Sequence, residues 1–193
     1  MSAVKILPLY LPPVEWLHRL HQASVIYIDS NSVWQKQTLR NRTRILSANG
    51  VQTLSVPVRH TGGKAIALKD IRISYHEAWV RVHKGAMFSA YNTSPFFDYF
   101  REELFQIIDR RPEFLVDLNL ALLDLLLRKF KCKAPVEEFS NQHIDIELSA
   151  ITNETELRDN LSPYPEYSQV FSYKHPYQPY LSAIDLLSNK GGW

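Results

Sequence analysis

The most apolar stretch of the chain, residues 114–127, limits what the protein can be. It contains Asp117, Asn119 and Asp124, and it is shorter than the roughly 20 residues that a helix needs to cross a bilayer. An apolar helix of this length belongs in a protein core. The pattern therefore predicts a core helix, and we expect no membrane partner.

Length and charge narrow the class of protein further. A chain of 193 residues lies within the usual size of one domain, so we predict a single domain over residues 1–193. The net charge of +2 gives no broad electrostatic field, and we therefore expect no nucleic-acid partner. The single cysteine, Cys132, cannot form an internal disulfide, and the N-terminal residues lack a signal-peptide pattern. The single cysteine favours a reducing compartment or carries no information about redox, and together with the N-terminal residues it leads us to expect a cytoplasmic protein.

Strand and helix patterns alternate at the start of the chain. We predict a strand over residues 4–11, irregular at Pro8 because proline cannot donate to a strand ladder. A helix over residues 13–22 and a strand over residues 24–29 follow. Strand, short helix and strand form the opening of an α/β layer.

A β-hairpin is predicted over residues 42–58. Asn49-Gly50 is the dipeptide that a two-residue type I′ turn favours, because both central residues of that turn need a positive φ. A loop at Thr61-Gly62-Gly63-Lys64 then leads to a further strand over residues 71–75.

Helical spacing dominates the rest of the chain. It predicts three helices, over residues 77–92, over residues 94–110, and from Pro112 to a cationic end at Arg128, Lys129 and Lys131. An edge strand is predicted over residues 143–148, and a capped helix begins at Ser182 and ends at Gly191. The predicted fold class is α+β: an N-terminal strand–helix–strand and β-hairpin layer, a helical half with about three long helices, and a short C-terminal capped helix.

The segment that leads into the hairpin is the best candidate for a ligand site. Arg40, Arg42 and Arg44 alternate, so in an extended chain they project from one face roughly 7 Å apart. Planar guanidinium groups suit a polyanion such as a diphosphate. The predicted binding residues of the segment are Lys36, Gln37, Arg40, Asn41 and Arg42. The alternative is a solvated hairpin edge, where arginines are common and inert.

His83 is the candidate catalytic residue. It lies one turn after Trp79 on the inward stripe of a predicted helix, where apolar neighbours can tune its proton affinity for acid/base work. The alternative is a core histidine that is hydrogen-bonded to a backbone carbonyl.

Other kinds of catalytic centre have weak support in the sequence. His18 and His21 lack the third ligand of a catalytic zinc site, so we predict no metal and no cofactor. Ser182 fits a helix cap rather than a nucleophile, because no G-x-S-x-G elbow surrounds it. Cys132 has no base nearby in sequence, which favours an inert thiol.

Several segments, in order along nearly the whole chain, resemble the WbqC-like proteins. The segments that carry the resemblance are Tyr10-Leu11-Pro12-Pro13 with Trp16, Lys36-Gln37, Arg40-Asn41-Arg42, Gly50 with Leu54-Ser55-Val56-Pro57-Val58, Ile73, Trp79, His83, Tyr91, Ser94-Pro95-Phe96-Phe97 with Tyr99, Tyr167-Ser168-Gln169-Val170-Phe171 and Leu181-Ser182-Ala183-Ile184-Asp185-Leu186-Leu187. One departure is visible: the family often opens with glutamine-proline-x-tyrosine-x-proline, where this chain has Ile6-Leu7-Pro8-Leu9-Tyr10.

The resemblance implies a bacterial protein. It also suggests a role in surface polysaccharides, because some family members are encoded among genes for O-antigen or other surface polysaccharides. It implies no established activity. Polar residues within the matched segments are expected near a site because a packing motif alone would not need them. They are Lys36, Gln37, Asn41, Arg42, His83, Tyr91, Gln169, Ser182 and Asp185. Whether Gln169, Ser182 and Asp185 serve the site or only the fold stays open.

Two functions from different classes follow. The first is an enzyme of surface-glycan assembly that transfers an acyl or aminoacyl group to a nucleotide-linked amino sugar. In this enzyme Arg40 and Arg42 would hold the diphosphate, and Asn41 would bind the sugar or the acyl carbonyl. His83 would act as the base on the attacking amine. Trp34, Trp79 and Tyr91 cover the sugar or nucleobase. The second is a non-catalytic module that binds a nucleotide sugar, a glycan or another pathway protein.

Overall fold

A parallel strand–helix–strand unit opens the fold. The structure is a computed structural model that describes residues 2–59, 62, 65–140 and 142–193. Strand β1 (Ser2–Ile6), helix α1 (Val14–His21) and strand β2 (Ala23–Ile28) follow one another, and the two strands pair in parallel. This confirms the predicted unit. The first strand is shorter than predicted, because the chain leaves the sheet before Pro8 and Leu11 has φ 46°.

An antiparallel hairpin follows, formed by β3 (Arg42–Ser47) and β4 (Gly50–Ser55). Ser47 pairs with Gly50, so the turn residues are Ala48 and Asn49, and the predicted type I′ turn centred on Asn49-Gly50 is wrong. Gly50 instead takes the positive φ, 101°, as the first residue of β4. The Ser47 hydroxyl fixes this register, because it accepts from the Asn49 N–H and donates to the Gly50 carbonyl. Of the loop predicted at residues 61–64, only Gly62 is among the described residues.

Three helices form the centre of the chain: α2 (Trp79–Tyr91), α3 (Arg101–Asp109) and α4 (Leu115–Lys129). The helix predicted over residues 94–110 is interrupted, because a short 3-10 turn ends at Phe100, which has φ −138°. The strand predicted at residues 71–75 contributes only isolated bridges, one of which joins Arg72 to Phe114. That bridge delays the start of α4 to Leu115.

Four short elements complete the fold: β5 (Val136–Glu138), β6 (Ile146–Glu147), α5 (Glu154–Asn160) and α6 (Ala183–Lys190). The parallel sheet has the order β5-β2-β1-β6, so the strand predicted near residues 143–148 does lie at an edge. The sheet, the hairpin and the helices together confirm the α+β class. No helix among the described residues combines the length and the apolarity that crossing a membrane requires.

The C-terminal helix packs against the first helix. The Val14 N–H donates to the Leu181 carbonyl at 2.9 Å, and the Ala183 N–H donates to the Pro12 carbonyl at 2.8 Å. The Ser182 hydroxyl accepts from the Ile184 N–H as the N-cap of α6, and Gly191 ends the helix with φ 80°. The predicted capped helix is therefore confirmed, and residues from the two ends of the chain complete one core.

Candidate functional site

The segment before the hairpin is a turn, not an extended strand. Gln37 has φ 59°, and the Asn41 N–H donates to the Thr38 carbonyl. The predicted row of three arginines on one face is therefore wrong at Arg40, which precedes β3. Arg42 and Arg44 do lie on β3, at alternating positions.

Arg40 faces the protein interior. Its side chain donates to the Val33 carbonyl at 2.7 Å, and the residue is 3% exposed. Burial lowers the pKa of the guanidinium, while Glu156 and Asp29 act in the opposite direction. Its own carbonyl accepts from the buried Asn119 amide at 2.7 Å. This contact ties the turn to α4.

Asn41 is also enclosed and fastens the turn to the end of the hairpin. Its side-chain N–H donates to the Val56 carbonyl at 3.0 Å, and its backbone carbonyl accepts from the Val56 N–H at 2.8 Å. Lys36, by contrast, is exposed at the surface. The turn thus divides its predicted binding residues between the interior and the solvent.

A polar cavity of about 300 Å³ opens between the turn, the hairpin and the start of α5. It brings together two predicted residues, Gln37 and Arg42. It also contains Arg44, the third arginine of the predicted row. The sequence did not mark the other polar residues of its wall, which are Thr38, Thr43, Thr53, Asn153, Glu154 and Thr155. We call this the Arg42 cavity.

The two arginines of the Arg42 cavity differ in charge pairing. Arg44 forms an ion pair with Glu154, which also pairs with Arg158 at 2.7 Å. Arg42 has no ion-pair partner among residues 2–59, 62, 65–140 and 142–193, and its Nε is buried there without an acceptor. An anion that entered the cavity would supply the partner that Arg42 lacks.

A capping box fixes the α5 side of the cavity. The Asn153 side chain accepts from the Glu156 N–H at 3.0 Å, and the Glu156 carboxylate accepts from the backbone of Thr152 and Asn153. Burial opposes ionisation of Glu156, but these hydrogen bonds outweigh it and lower the pKa of the carboxyl. These hydrogen bonds hold the start of α5, where Glu154 pairs with Arg44.

His83 lies in a separate cavity of about 260 Å³, which we call the His83 cavity. Its Nδ1 lies 2.8 Å from the Tyr10 hydroxyl, and the Ser55 backbone also hydrogen-bonds to the ring. Burial lowers the pKa of His83 to about 4, so the ring is neutral near pH 7. The hydrogen bond to backbone is the pattern of a core histidine, and the catalytic role stays a prediction.

The Arg42 and His83 cavities are neighbours. Thr53 lines both of them. Arg42 pairs with Ser55 across the hairpin, a spacing of about 5 Å, and the Ser55 backbone in turn holds the His83 ring. A single ligand that filled both cavities would therefore extend along β4.

The predicted aromatic residues are dispersed. The Trp79 ring lies 5.0 Å from the His83 ring and lines the His83 cavity. Tyr91 is buried against Phe97 at 5.8 Å and lines neither cavity. Trp34 is also buried and lines neither. Of the three aromatic side chains, only Trp79 is placed to contact a ligand there.

Gln169, Ser182 and Asp185 hold the C-terminal segment. The Asp185 carboxylate accepts from the Tyr167 hydroxyl at 2.7 Å and from the Gln169 amide at 3.2 Å. Burial raises the pKa of Asp185 to about 6, although these hydrogen bonds act against the rise. The Ser182 hydroxyl donates to the Leu11 carbonyl at 3.0 Å. None of the three lines the Arg42 or His83 cavity, so their contacts serve the fold.

The described residues hold no group of three or more His, Cys, Asp or Glu side chains arranged to bind a metal ion. His18 instead packs edge-on against the rings of Tyr164 and Trp193, at 5.2 Å and 4.9 Å.

The fold and cavities define an α+β protein with a polar cavity beside its hairpin, and this chain belongs to the WbqC-like protein family. The family matches residues 8–154, which include the turn, the hairpin and helices α2 to α4. The resembling segments at residues 167–171 and 181–187 lie beyond that match. No curated protein and no solved structure gives a significant match to the chain.

Proposed function

We propose that this chain binds a nucleotide-linked sugar in bacterial surface-polysaccharide assembly, with the diphosphate at Arg42. The observation that carries the proposal is the charge pairing of the cavity. Arg44 is paired with Glu154, whereas Arg42 has no acidic partner in the described part of the chain. A diphosphate oxygen can accept from a guanidinium in the planar geometry that arginine offers.

The threonines of the Arg42 cavity suit the phosphate groups of such a ligand and the sugar oxygens next to them. Thr38, Thr53 and Thr155 are on its wall, and a hydroxyl can both donate to and accept from a phosphate or sugar oxygen. Its volume of about 300 Å³ is at the small end of ligand pockets, which begin at about 300 Å³. The cavity therefore encloses the charged part of the ligand and leaves the remainder to the His83 cavity or to solvent.

The second candidate is transfer of an acyl or aminoacyl group to an amino sugar on that nucleotide. It is favoured by the adjacent His83 cavity, where the ring is unprotonated near pH 7. A pKa of about 4 makes His83 a weak base for an amine, because proton transfer is most efficient when the pKa of the base is near the working pH. Binding without catalysis has the stronger support for this reason.

Thermal-shift and calorimetric titrations test the binding proposal. The ligands are UDP, UDP-glucose and a UDP-linked amino sugar, because a ligand that binds only the folded state raises Tm. We expect Arg42→Gln to weaken binding at least about tenfold, or about 1.4 kcal/mol. Arg59→Gln is the matched control, since Arg59 is exposed and lies outside the cavity. Equal affinities of the two variants, or no stabilisation by any nucleotide sugar, would contradict the proposal.

His83→Gln separates the two candidates. If the wild type converts an amino-sugar nucleotide and an acyl donor, and this variant loses turnover but still binds the nucleotide, the transferase is supported. If the wild type and the variant both bind the nucleotide sugar and neither shows turnover, the non-catalytic binding module is supported. A His83→Gln protein that unfolds supports a core role for the ring, and Tyr10→Phe then tests the same bond from its other end.

A further inference from the structure

A third cavity lies between helices α2 and α3 and has a volume of about 660 Å³. We call it the Gly85 groove. One face of α2 forms its floor, since Arg81, Lys84, Gly85 and Phe88 follow helical spacing. The rings of Tyr75, Phe88 and Phe105 form apolar walls, and Phe88 is 43% exposed.

No contact among the described residues requires a glycine at position 85. It lies in the interior of an α-helix, where alanine is the more stabilising residue. A Cβ added at this position meets no atom within 4 Å, so no neighbouring element excludes a side chain. The absence of a side chain at Gly85 leaves open space over the floor of the groove. A ligand from outside the chain would account for a glycine at this position.

The charges around the groove favour an anionic occupant. Lys84 pairs with Asp109 and lies over the Phe105 ring at 5.3 Å. Arg111 stacks on the Tyr75 ring at 5.7 Å, and Arg81 is exposed. Both arginines lack an ion-pair partner across the described residues.

Glu77 is the remaining acidic residue of the wall. Asp109 is already paired to Lys84, so among the described residues two guanidinium groups and one carboxylate of the wall have no ion-pair partner. The balance is positive, and it lies next to exposed aromatic surface.

We propose that the Gly85 groove binds a small molecule with a flat apolar body and a negatively charged group. The body lies over Gly85 between the Phe88 and Phe105 rings, and the charged group pairs with Arg81 or Arg111. A volume of about 660 Å³ suits such a ligand, since small-molecule pockets measure about 300–1,000 Å³. The groove shares Glu77 and Ala78 with the His83 cavity but contains no residue of the Arg42 cavity, so it does not depend on the function proposed above.

Fluorescence titration with two matched dyes tests this site. One dye is 8-anilinonaphthalene-1-sulfonate, and the other is N-phenyl-1-naphthylamine, which has the same rings without the sulfonate. Gly85→Leu places a bulky side chain over the floor of the groove, and Ser89→Leu places the same side chain at an exposed position of α2 outside it. We expect one dye site per chain, an affinity at least about tenfold lower in Gly85→Leu, and no change in Ser89→Leu. Equal dye binding by the two leucine variants overturns the proposal.

The charge requirement is tested with the double variant Arg81→Gln/Arg111→Gln. We expect it to weaken the sulfonate dye several-fold and to leave the neutral dye unchanged, whereas an equal loss of both dyes overturns the anionic part of the proposal. Gly85→Ala covers the case that Gly85→Leu does not fold: it should unfold at higher urea than wild type and bind the dyes more weakly. Unchanged dye binding in Gly85→Ala then overturns the site. Retained dye binding in Arg42→Gln shows that the groove is independent of the nucleotide-sugar proposal.

Discussion

The Tyr10 hydroxyl lies 2.8 Å from Nδ1 of His83, and this bond joins the segment after β1 to the middle of α2. Burial raises the pKa of Tyr10 far above its ordinary value, so the hydroxyl stays protonated and acts as the donor. The neutral His83 ring therefore accepts at Nδ1 and has its Nε2–H free to donate to the Ser55 backbone.

Replacing the donor should destabilise the protein. Tyr10→Phe leaves the buried Nδ1 of His83 without a partner, which costs about 1–3 kcal/mol. Urea unfolding measures the change. Tyr27→Phe on β2 is the control, because the Tyr27 hydroxyl makes no hydrogen bond among the described residues. Equal midpoints for the two variants would show that the Tyr10–His83 bond contributes little.

Two buried groups should give opposite pH dependences of stability. The pKa of His83 falls from 6.5 to about 4, so the unfolded chain binds more protons and stability is lost as pH drops through this window. The pKa of Asp185 rises from 3.8 to about 6, so the folded chain binds more protons and stability is gained as pH drops. Each shift corresponds to about 3 kcal/mol, and we expect the two to offset one another nearly completely between pH 6 and 4 in the wild type.

Single variants should separate the two opposing contributions to the pH dependence of the unfolding free energy. Asp185→Asn removes the compensating group, so this variant should lose about 3 kcal/mol of unfolding free energy between pH 6.5 and 4 relative to the wild-type profile. His83→Gln should show the reverse slope. Urea titrations at a series of pH values measure both. Parallel profiles for the wild type and both variants would mean that neither group titrates as its burial predicts.

Asn119 should be among the most sensitive positions of α4. Its amide donates to the Pro8 and Arg40 carbonyls at 3.0 Å and 2.7 Å, so Asn119→Ala leaves two buried carbonyls without this donor. We expect a loss of about 2–4 kcal/mol in urea unfolding. Asn160→Ala removes an exposed amide that also donates to a carbonyl, and it should cost no more than about 0.5 kcal/mol. Similar losses for the two would contradict the role of burial.

Ser182 should contribute through its hydroxyl and not through chemistry. The hydroxyl caps α6 and donates to the Leu11 carbonyl, so Ser182→Ala should cost about 1–2 kcal/mol. Nucleotide-sugar binding by this variant should match the wild type under conditions where both are folded. Ser89→Ala, at an exposed position inside α2, is the control and should not lower stability. Loss of binding by folded Ser182→Ala protein would assign the residue to the site.

The sequence predicted elements whose signals are local. The β1-α1-β2 unit, the hairpin and the Ser182 cap follow from alternation, turn residues and capping residues. Helix α5 was missed although Asn153 and Glu156 form an N-x-x-E capping pattern, which could have predicted it. The strand β5 was missed because three exposed residues give no apolar alternation.

The site was harder to predict because it depends on contacts between distant segments. Arg40 and Arg42 are the same residue type two positions apart, yet the turn at Gln37 buries the first and leaves the second at a cavity. Arg44 is paired by Glu154, a residue far away in the sequence. No local pattern distinguishes a paired arginine from an unpaired one.

The contacts between Pro12, Val14 and the residues around Ser182 also constrain when helix α1 can finish folding during synthesis. Synthesis proceeds from the N-terminus, and domains fold as their residues leave the ribosome. Helix α1 emerges early, but the groups that hold its first turn emerge only with α6. A nascent chain that stops before Leu181 therefore lacks the acceptor of the Val14 N–H and the packing of α6 against α1.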